Sequence, residues 1–272
     1  MKAISIGIAG LGTVAQGVLT LLAANRSLIE QRSGVSVDVV RVASRSARPD
    51  VDLHGADFST DVMDLLSDSR IDLIVELIGG ETLAKQLIVG ALSNGKAVVT
   101  ANKAVIALYG NELSRQALRF EAAVAGAIPI IHALQQGLVA NRFTAVSGII
   151  NGTCNYMLSA MEEEGVGFDE ILERAQTLGY AEADPTFDVD GIDAAHKLTI
   201  LMALAFGTQF EFAKVYVEGI RAITLTDISY AAELGYRIKH LGILRSNPDG
   251  IEARVHPTLV PHGELVAHVN GV

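Results

Sequence analysis

Gly10-Leu11-Gly12-Thr13-Val14-Ala15 follows a short apolar strand over residues 3–9 and opens an apolar helical pattern carried by Val14, Val18, Leu21 and Leu22. Strand, turn and helix in that order put a G-x-G-x-x-A pattern where a dinucleotide needs it. Gly10 permits the tight turn, Gly12 lets the backbone approach a pyrophosphate, and the small Ala15 lets helix and strand pack closely. The helix start, at Thr13 and Val14, offers unpaired N–H groups and a positive dipole to the phosphates. A plain strand-to-helix turn is the bland alternative, and the surrounding βαβ pattern weighs against it.

Outward from this turn, strands are expected at residues 36–43, 71–77 and 97–100, with helical patterns between them. One of those helices, over residues 82–92, has its stop in Asn94-Gly95, which tolerates the left-handed conformation. Strands alternating with helices predict an α/β fold, a Rossmann-type doubly wound parallel sheet covered on both faces. No carboxylate closes the second strand to bind a ribose 2′-hydroxyl. Val42 and Ala43 run into Ser44 and Arg45, and Arg45 suits the 2′-phosphate of NADP, so NADP is preferred over NAD.

The character changes after residue 128. Pro129 suits the first turn of a helix, a strand follows at 143–150, and helices are expected at 156–164, 168–178 and 193–205. Short runs at 241–244, 252–255 and 264–269 read as antiparallel strands, and residues 226–239 carry helical periodicity. The division predicts a dinucleotide-binding domain over 1–128 and a second, α+β domain over 129–272.

Half of the 272 residues are hydrophobic, enough to bury a large core. A formal charge of −10 argues against a phosphate-tracking surface, so no nucleic-acid partner is expected. Glycines interrupt the apolar N-terminal stretch and no other run approaches a membrane span, so neither a signal peptide nor a membrane partner is expected. The single Cys154 excludes an intrachain disulfide and fits a reducing, cytoplasmic setting.

Chemistry concentrates between Gly179 and Lys197, where Glu182, Asp184, Asp188, Asp190 and Asp193 precede one lysine. Asp193 and Lys197, four apart, share a helix face and can together meet a small polar ligand. Equally, Asp190 as N-cap, Asp193 in the first turn and Lys197 as its ion-pair partner are ordinary helix chemistry. A nicotinamide enzyme acting on a carbonyl needs a proton donor beside the oxygen, and lysine can serve. Lys197 qualifies, as does Lys103 in Val99-Thr100-Ala101-Asn102-Lys103, at the C-terminal end of a strand where open α/β sheets bind ligands. Carboxylates such as Glu182 and Asp193 complement a substrate ammonium group.

The stretch from Ala175 through Gly179, Tyr180, Ala181, Asp184-Pro185, Asp188, Gly191 and Asp193 to Lys197 resembles the signature of homoserine dehydrogenases. Glu76-Leu77-Ile78-Gly79-Gly80, Thr100 to Lys103, Glu121 to Val124, Ile128 to Ile131 and Asn151-Gly152-Thr153 resemble that family's blocks in order. The resemblance implies reversible reduction of L-aspartate 4-semialdehyde to L-homoserine with NADPH or NADH. It implies Lys197 as proton donor and Lys103 beside it as a second essential cation touching substrate or cofactor. It further implies Glu182, Asp188 and Asp193 as carboxylates that hold homoserine or orient the lysines, with Gly152, Thr153 and Tyr180 as the pocket wall. A monovalent cation, usually sodium, is implied at Glu121 and the positions of Val124, Gly126 and Ile128, and oxygen ligands suit such a hard ion. At least a homodimer through the second domain's sheet is implied as well.

Two departures stand out. Ala125-Gly126-Ala127 replaces the family's consecutive glycines, which makes the cation loop less permissive. The family continues past Val269 into a glycine-rich turn and a returning helix, whereas this sequence stops at Val272 and reads as a shortened piece without threonine feedback through a regulatory domain. Another amino-acid dehydrogenase, such as one acting on aspartate, is disfavoured by the long signature. A nucleotide-binding or assembly module without catalysis is the reading from a different class. Cys154 reads as a small packing residue, and the histidines lack metal-ligand spacing.

Overall fold

The computed structural model describes residues 2–271. The chain divides into two compact units, Met1–Pro129 and Ile130–Val272.

The first unit runs β1 (Lys2–Ala9), α1 (Thr13–Ala24), α2 (Arg26–Ser33), β2 (Val35–Ala43), β3 (Asp57–Ser59), α3 (Asp64–Ser67), β4 (Leu73–Glu76), α4 (Thr82–Ser93), β5 (Ala97–Thr100), α5 (Lys103–Tyr109) and β6 (Leu118–Arg119). Its strands stand in the order β3-β2-β1-β4-β5-β6, all parallel. Central strands of such a sheet are covered on both faces, which is why Ile6, Ile8, Ile74, Val75 and Val98 are all buried. On one side Leu11, Ala15 and Leu19 close over Ile6, Ile8 and Val42. The order reverses between β1 and β4, so a crevice opens beyond their carboxyl ends, at Gly10 and Leu77. Helix α4 stops where expected, with Gly95 at φ 75°.

The edge strand β3 is tied down by charge. Arg70 bonds Asp68 through Nε at 3.0 Å and Nη2 at 2.7 Å and reaches Asp57 at 2.8 Å, while Arg41 of β2 meets Asp68 at 3.3 Å. The bonds from Arg70 hold the Asp68 carboxyl down at about 2, well below the usual carboxylate range. A carboxyl depressed in the folded state stabilises fully above its unfolded value and loses that contribution as pH falls toward its folded value. Asp68→Asn is therefore expected to melt below the wild type at pH 7, with the gap closing between about pH 5 and pH 2. Thermal melts across that range check this, and a gap independent of pH would refute it.

The second unit begins with a short α6 (Ile130–His132) that continues as one π-type turn, Ala133–Gly137. There follow β7 (Ala145–Gly148), α7 (Gly152–Glu164), α8 (Phe168–Thr177), α9 (Thr186–Val189), α10 (Ile192–Phe206), β8 (Tyr216–Val217), α11 (Leu225–Glu233), β9 (Tyr236–Asn247) and β10 (Gly250–Pro261). The sheet order is β7-β9-β10-β8. β9 and β10 form one long antiparallel hairpin, β7 joins β9 antiparallel, and β8 joins β10 parallel. Met157, Leu158 and Met161 of α7 pack with Ile171, Val189, Ile220 and Ile228, and Ile238 of β9 lies against them.

Three expectations are corrected. Residues 264–269 form no strand but a 3-10 turn, Leu265–His268, because Val266 and Ala267 fold back onto Leu241 and Val260. The carbonyl that follows, of Val269, is taken by the side chains of Lys239 at 2.6 Å and Asn155 at 3.1 Å instead of a neighbouring strand. The helical periodicity of residues 226–239 survives only to Glu233, since Gly235 adopts φ 83° and β9 starts at Tyr236. Asp190 is not the N-cap of α10; that place belongs to Gly191 at φ 84°, and Asp190 pairs with Arg221 at 2.5 Å.

Candidate functional site

Chemistry-bearing residues gather in two places, one in each unit. In the first, β1 ends at Ala9 and Gly10 turns with φ 105°, its N–H donating to the Ala43 carbonyl at 2.8 Å. A Cβ at Gly10 would lie 2.7 Å from the Leu77 carbonyl oxygen, so the protein itself demands glycine there. Gly12 differs, because a Cβ on it would meet nothing. That open face leaves room for a group such as a pyrophosphate to approach the backbone. Gly12 caps α1 without a side-chain bond, no acid stands in the first turn, and Thr13 and Val14 are exposed while Ala15 is buried. The helix therefore presents bare N–H donors suited to an anion. Ala43 is fully buried and contributes its carbonyl to the turn. Arg45 is exposed, and its side chain forms no hydrogen bond or ion pair with any described residue.

A polar knot closes the carboxyl ends of β4 and β5. Register places Glu76 beside Thr100, whose hydroxyl donates to the Glu76 carboxylate and accepts from the Asn102 N–H at 2.9 Å. The other Glu76 oxygen takes the Ile78 N–H at 2.9 Å. Burial pushes the Glu76 carboxyl up, and these bonds work against that rise. Asn102 grips the Gly80 carbonyl at 2.8 Å and caps α5 by accepting from Val105 N at 3.1 Å, which sets Lys103 as the first residue of that helix. Thr100 is thus wholly buried, its hydroxyl committed to the knot. Sequence reading passed over the part Glu76 plays, although two strand-end polar residues in register were the signal.

The loop carrying Glu121, Val124, Gly126 and Ile128 holds two alanines in the left-handed region, Ala125 at φ 50° and Ala127 at φ 69°. Such backbone costs an ordinary residue about 1–2 kcal/mol. The less permissive sequence has kept a glycine-like path.

In the second unit, Asn151 precedes α7 and caps it by accepting from Cys154 N at 2.8 Å. Its amide nitrogen donates to Asp188 Oδ1 and to Asp193 Oδ2, both at 2.8 Å. Lys197 Nζ donates to the same Asp193 oxygen at 2.7 Å and to the Ile150 carbonyl at 2.9 Å. An ammonium has three donors, and the third meets no acceptor among the described residues. Beside this cluster Thr153 Oγ1 donates to the Tyr180 carbonyl at 2.8 Å, and the Tyr180 ring stands edge-on to Tyr156 at 5.0 Å. Gln176 holds the carbonyls of Glu182 and Ala183, leaving the Glu182 side chain exposed.

Of the expected carboxylates, Asp188 and Asp193 meet at the Asn151 amide and Asp193 also takes Lys197, while Asp184 accepts from Thr186 N at 3.1 Å and Asp190 takes Arg221. Of the helix reading of the Asp193 and Lys197 spacing, the ion pair is present at 2.7 Å, while the N-cap is Gly191 and not Asp190. Asn151 and Gln176 were missed; the signal for Asn151 was a capping-type residue at a strand-to-helix junction. Cys154 is buried, its thiol pushed up by burial and donating to the Asp188 carbonyl at 3.3 Å. No group of three or more His, Cys, Asp or Glu side chains among the described residues is arranged to hold a metal.

Comparison with known proteins agrees with both halves. Residues 10–126 match the NAD-binding domain profile of homoserine dehydrogenase, and residues 129–272 match the homoserine dehydrogenase profile. The chain is 52% identical to a homoserine dehydrogenase of Pseudomonas aeruginosa and 48% identical to one of Neisseria gonorrhoeae, each over 100% of this chain and 64% of the relative. It superposes on the crystal structure of a homoserine dehydrogenase from Thiobacillus denitrificans with a TM-score of 0.96 at 53% identity, covering 100% of this chain and 64% of that one. The chain thus spans 64% of the length of these relatives.

Proposed function

The chain belongs to the homoserine dehydrogenase family, and from that premise we propose that it interconverts L-aspartate 4-semialdehyde and L-homoserine with a nicotinamide nucleotide. The observation that carries this reading is Lys197, held at two of its N–H groups by Asp193 and the Ile150 carbonyl, with no acceptor for its third donor among the described residues. A bound nicotinamide supplies the hydride in one direction and takes it back in the other. Lys197 holds a proton at Nζ and passes it to the aldehyde oxygen as that oxygen becomes the hydroxyl, then recovers it in the reverse direction. Glu182, Asp188 and Asp193 complement the substrate's ammonium group, with Gly152, Thr153 and Tyr180 as the wall. Lys103 is the second cation, touching substrate or cofactor.

Gly10, Gly12, Thr13 and Val14 hold the dinucleotide phosphates, supported by the open approach at Gly12. Ala43 and Thr100 border the nucleotide through backbone. NADP is preferred, because the guanidinium of Arg45, without a partner among the described residues, stands two residues past the end of β2. Arg45→Ala is expected to raise KM for NADP about 10- to 100-fold and leave KM for NAD within about twofold, since a charge-assisted bond is worth roughly 1.5–3 kcal/mol. Equal effects on the two cofactors in steady-state assays would refute the assignment. A monovalent cation, sodium by family resemblance, binds Glu121 and the carbonyls of Val124, Gly126 and Ile128. The strained Ala125 and Ala127 that alternate with those carbonyls support it.

The single cysteine supports a reducing, cytoplasmic setting, and the family resemblance supports a homodimer or higher homo-oligomer. No helix among the described residues is long and apolar enough to cross a membrane. The test of the function is nicotinamide absorbance on this polypeptide with homoserine and each oxidised cofactor. Turnover supports the reading, and nucleotide binding without turnover would replace it with a binding module.

A further inference from the structure

Glu76 closes β4 with its side chain wholly buried, and no lysine, arginine or histidine pairs with it among the described residues. A carboxyl withdrawn from water without a counter-ion is costly, and here hydrogen bonds alone compensate it. Both of its oxygens accept. One takes the Ile78 N–H, from the loop that leaves β4, and the other takes the Thr100 hydroxyl. Thr100 has a single hydroxyl hydrogen and its oxygen already accepts the Asn102 N–H, so the chain of donors runs one way, from Asn102 through Thr100 to Glu76. An amide in place of the carboxyl has only one acceptor oxygen, and either Ile78 or Thr100 would lose its acceptor.

These bonds tie two loops together. Register sets Glu76 opposite Ala9 of β1 on one side and Thr100 of β5 on the other, beside the point where the strand order reverses and open α/β sheets bind ligands. Residues 77–80 leave β4 and residues 101–103 leave β5. Asn102 completes the tie by donating to the Gly80 carbonyl at 2.8 Å and accepting from Val105 N at 3.1 Å. The N–H of Lys103, first residue of α5, goes to the Ala101 carbonyl at 3.0 Å. The backbone that carries Lys103 is therefore held through Glu76.

We propose that Glu76 is a positioning residue, which by accepting from both loops fixes the backbone from which Lys103 offers its ammonium to the bound nucleotide or substrate. The proposal rests on the reading of the chain as an enzyme of homoserine. Glu76 itself takes no part in the chemistry and acts through Thr100 and Asn102.

The test compares Glu76→Gln, which keeps size and removes one acceptor, with Thr100→Val, which keeps shape and removes the hydroxyl, and Thr100→Ser, which keeps the hydroxyl and gives up a methyl. Glu76→Gln and Thr100→Val are each expected to lower kcat for homoserine oxidation about 10- to 100-fold, the scale of a misplacement of about 1 Å. Nucleotide affinity should change less than about threefold, because the glycine turn between β1 and α1 is left intact. Thr100→Ser is expected to lose at least about fivefold less than Thr100→Val, and the double variant Glu76→Gln with Thr100→Val to stay within about twofold of the slower single one, since both break one chain. A further readout needs no turnover: the rate at which an amine-acylating reagent labels Lys103, followed by mass spectrometry with and without saturating NADP. Bound nucleotide is expected to slow that labelling at least about fivefold in the wild type and less than about twofold in Glu76→Gln and Thr100→Val. If the wild type does not turn homoserine over, the proposed reaction fails and the labelling alone decides the positioning role. Equal labelling in wild type and variants, losses of kcat that follow Tm alone, or Thr100→Val as active as Thr100→Ser would overturn it. Should Glu76→Gln fail to fold, the two Thr100 variants make the same comparison.

Discussion

Replacing Lys197 with alanine is expected to lower kcat for homoserine oxidation by roughly 10²–10⁴-fold, about 3–5 kcal/mol of barrier, while nucleotide affinity stays within twofold. The split follows from where the side chain is. Its ammonium belongs to the carboxylate cluster of the second unit, and the glycine turn proposed to receive the nucleotide is built from β1 and α1. Arginine is not a rescue, because its guanidinium keeps its proton under all working conditions and its fork does not match the two acceptors that aim Lys197. Removing the ammonium also leaves Asp193, whose side chain is 4% exposed, with one partner fewer, so some loss of Tm accompanies the loss of rate. Steady-state kinetics with parallel nucleotide titration separates these effects. Near-normal kcat in the alanine variant would remove Lys197 from the chemistry.

The second large effect is one of stability. Gly219→Ala is expected to cost about 3 kcal/mol, at the upper end for overpacking, and to lower Tm by roughly 6–12 °C. A Cβ there would overlap the Val189 carbonyl oxygen and come within 2.5 Å of Asp190 Cα. Both neighbours are backbone, so no rotamer change relieves the contact, and the adjacent bond from Ile220 N to the Val189 carbonyl at 2.8 Å resists separation. The segment pushed aside follows directly on Asp188, so KM for homoserine should rise with the loss of Tm. Gly12→Ala is the informative contrast, because its added methyl meets open space. That variant should keep its Tm within about 2 °C and lose nucleotide affinity at least tenfold, the carbon standing where the pyrophosphate approaches. Calorimetric melts of both variants test the pair; a fully stable Gly219→Ala would show that the turn yields more easily than its geometry indicates.

The glycine turn was legible because everything that defines it lies within six residues, and the parallel sheet because its strands and helices carry their own periodicities. The same periodicity misled at residues 226–239, where Gly235 broke a pattern that runs on into β9, and at 264–269, where packing on Leu241 and Val260 replaced strand pairing. In the acidic stretch, composition marked the right neighbourhood but could not assign duties. Asp184 and Asp190 serve local turns and an arginine, whereas Asp188 and Asp193 meet at one asparagine and Asp193 pairs with Lys197.

By itself the sequence determined what separations of three to six residues can encode: the β1-to-α1 turn, the helix stop at Gly95, and the i,i+4 placement of Asp193 and Lys197 on one face. Only the tertiary structure decided that Asn151 would bridge carboxylates 37 and 42 residues away, that Glu76 would meet Thr100 across paired strands, and that Gly219 would abut the turn after Asp188. The reason is physical. Local backbone preferences act on neighbours along the chain, but a buried polar group takes whichever partner packing brings within hydrogen-bond reach, however far off in sequence that partner lies.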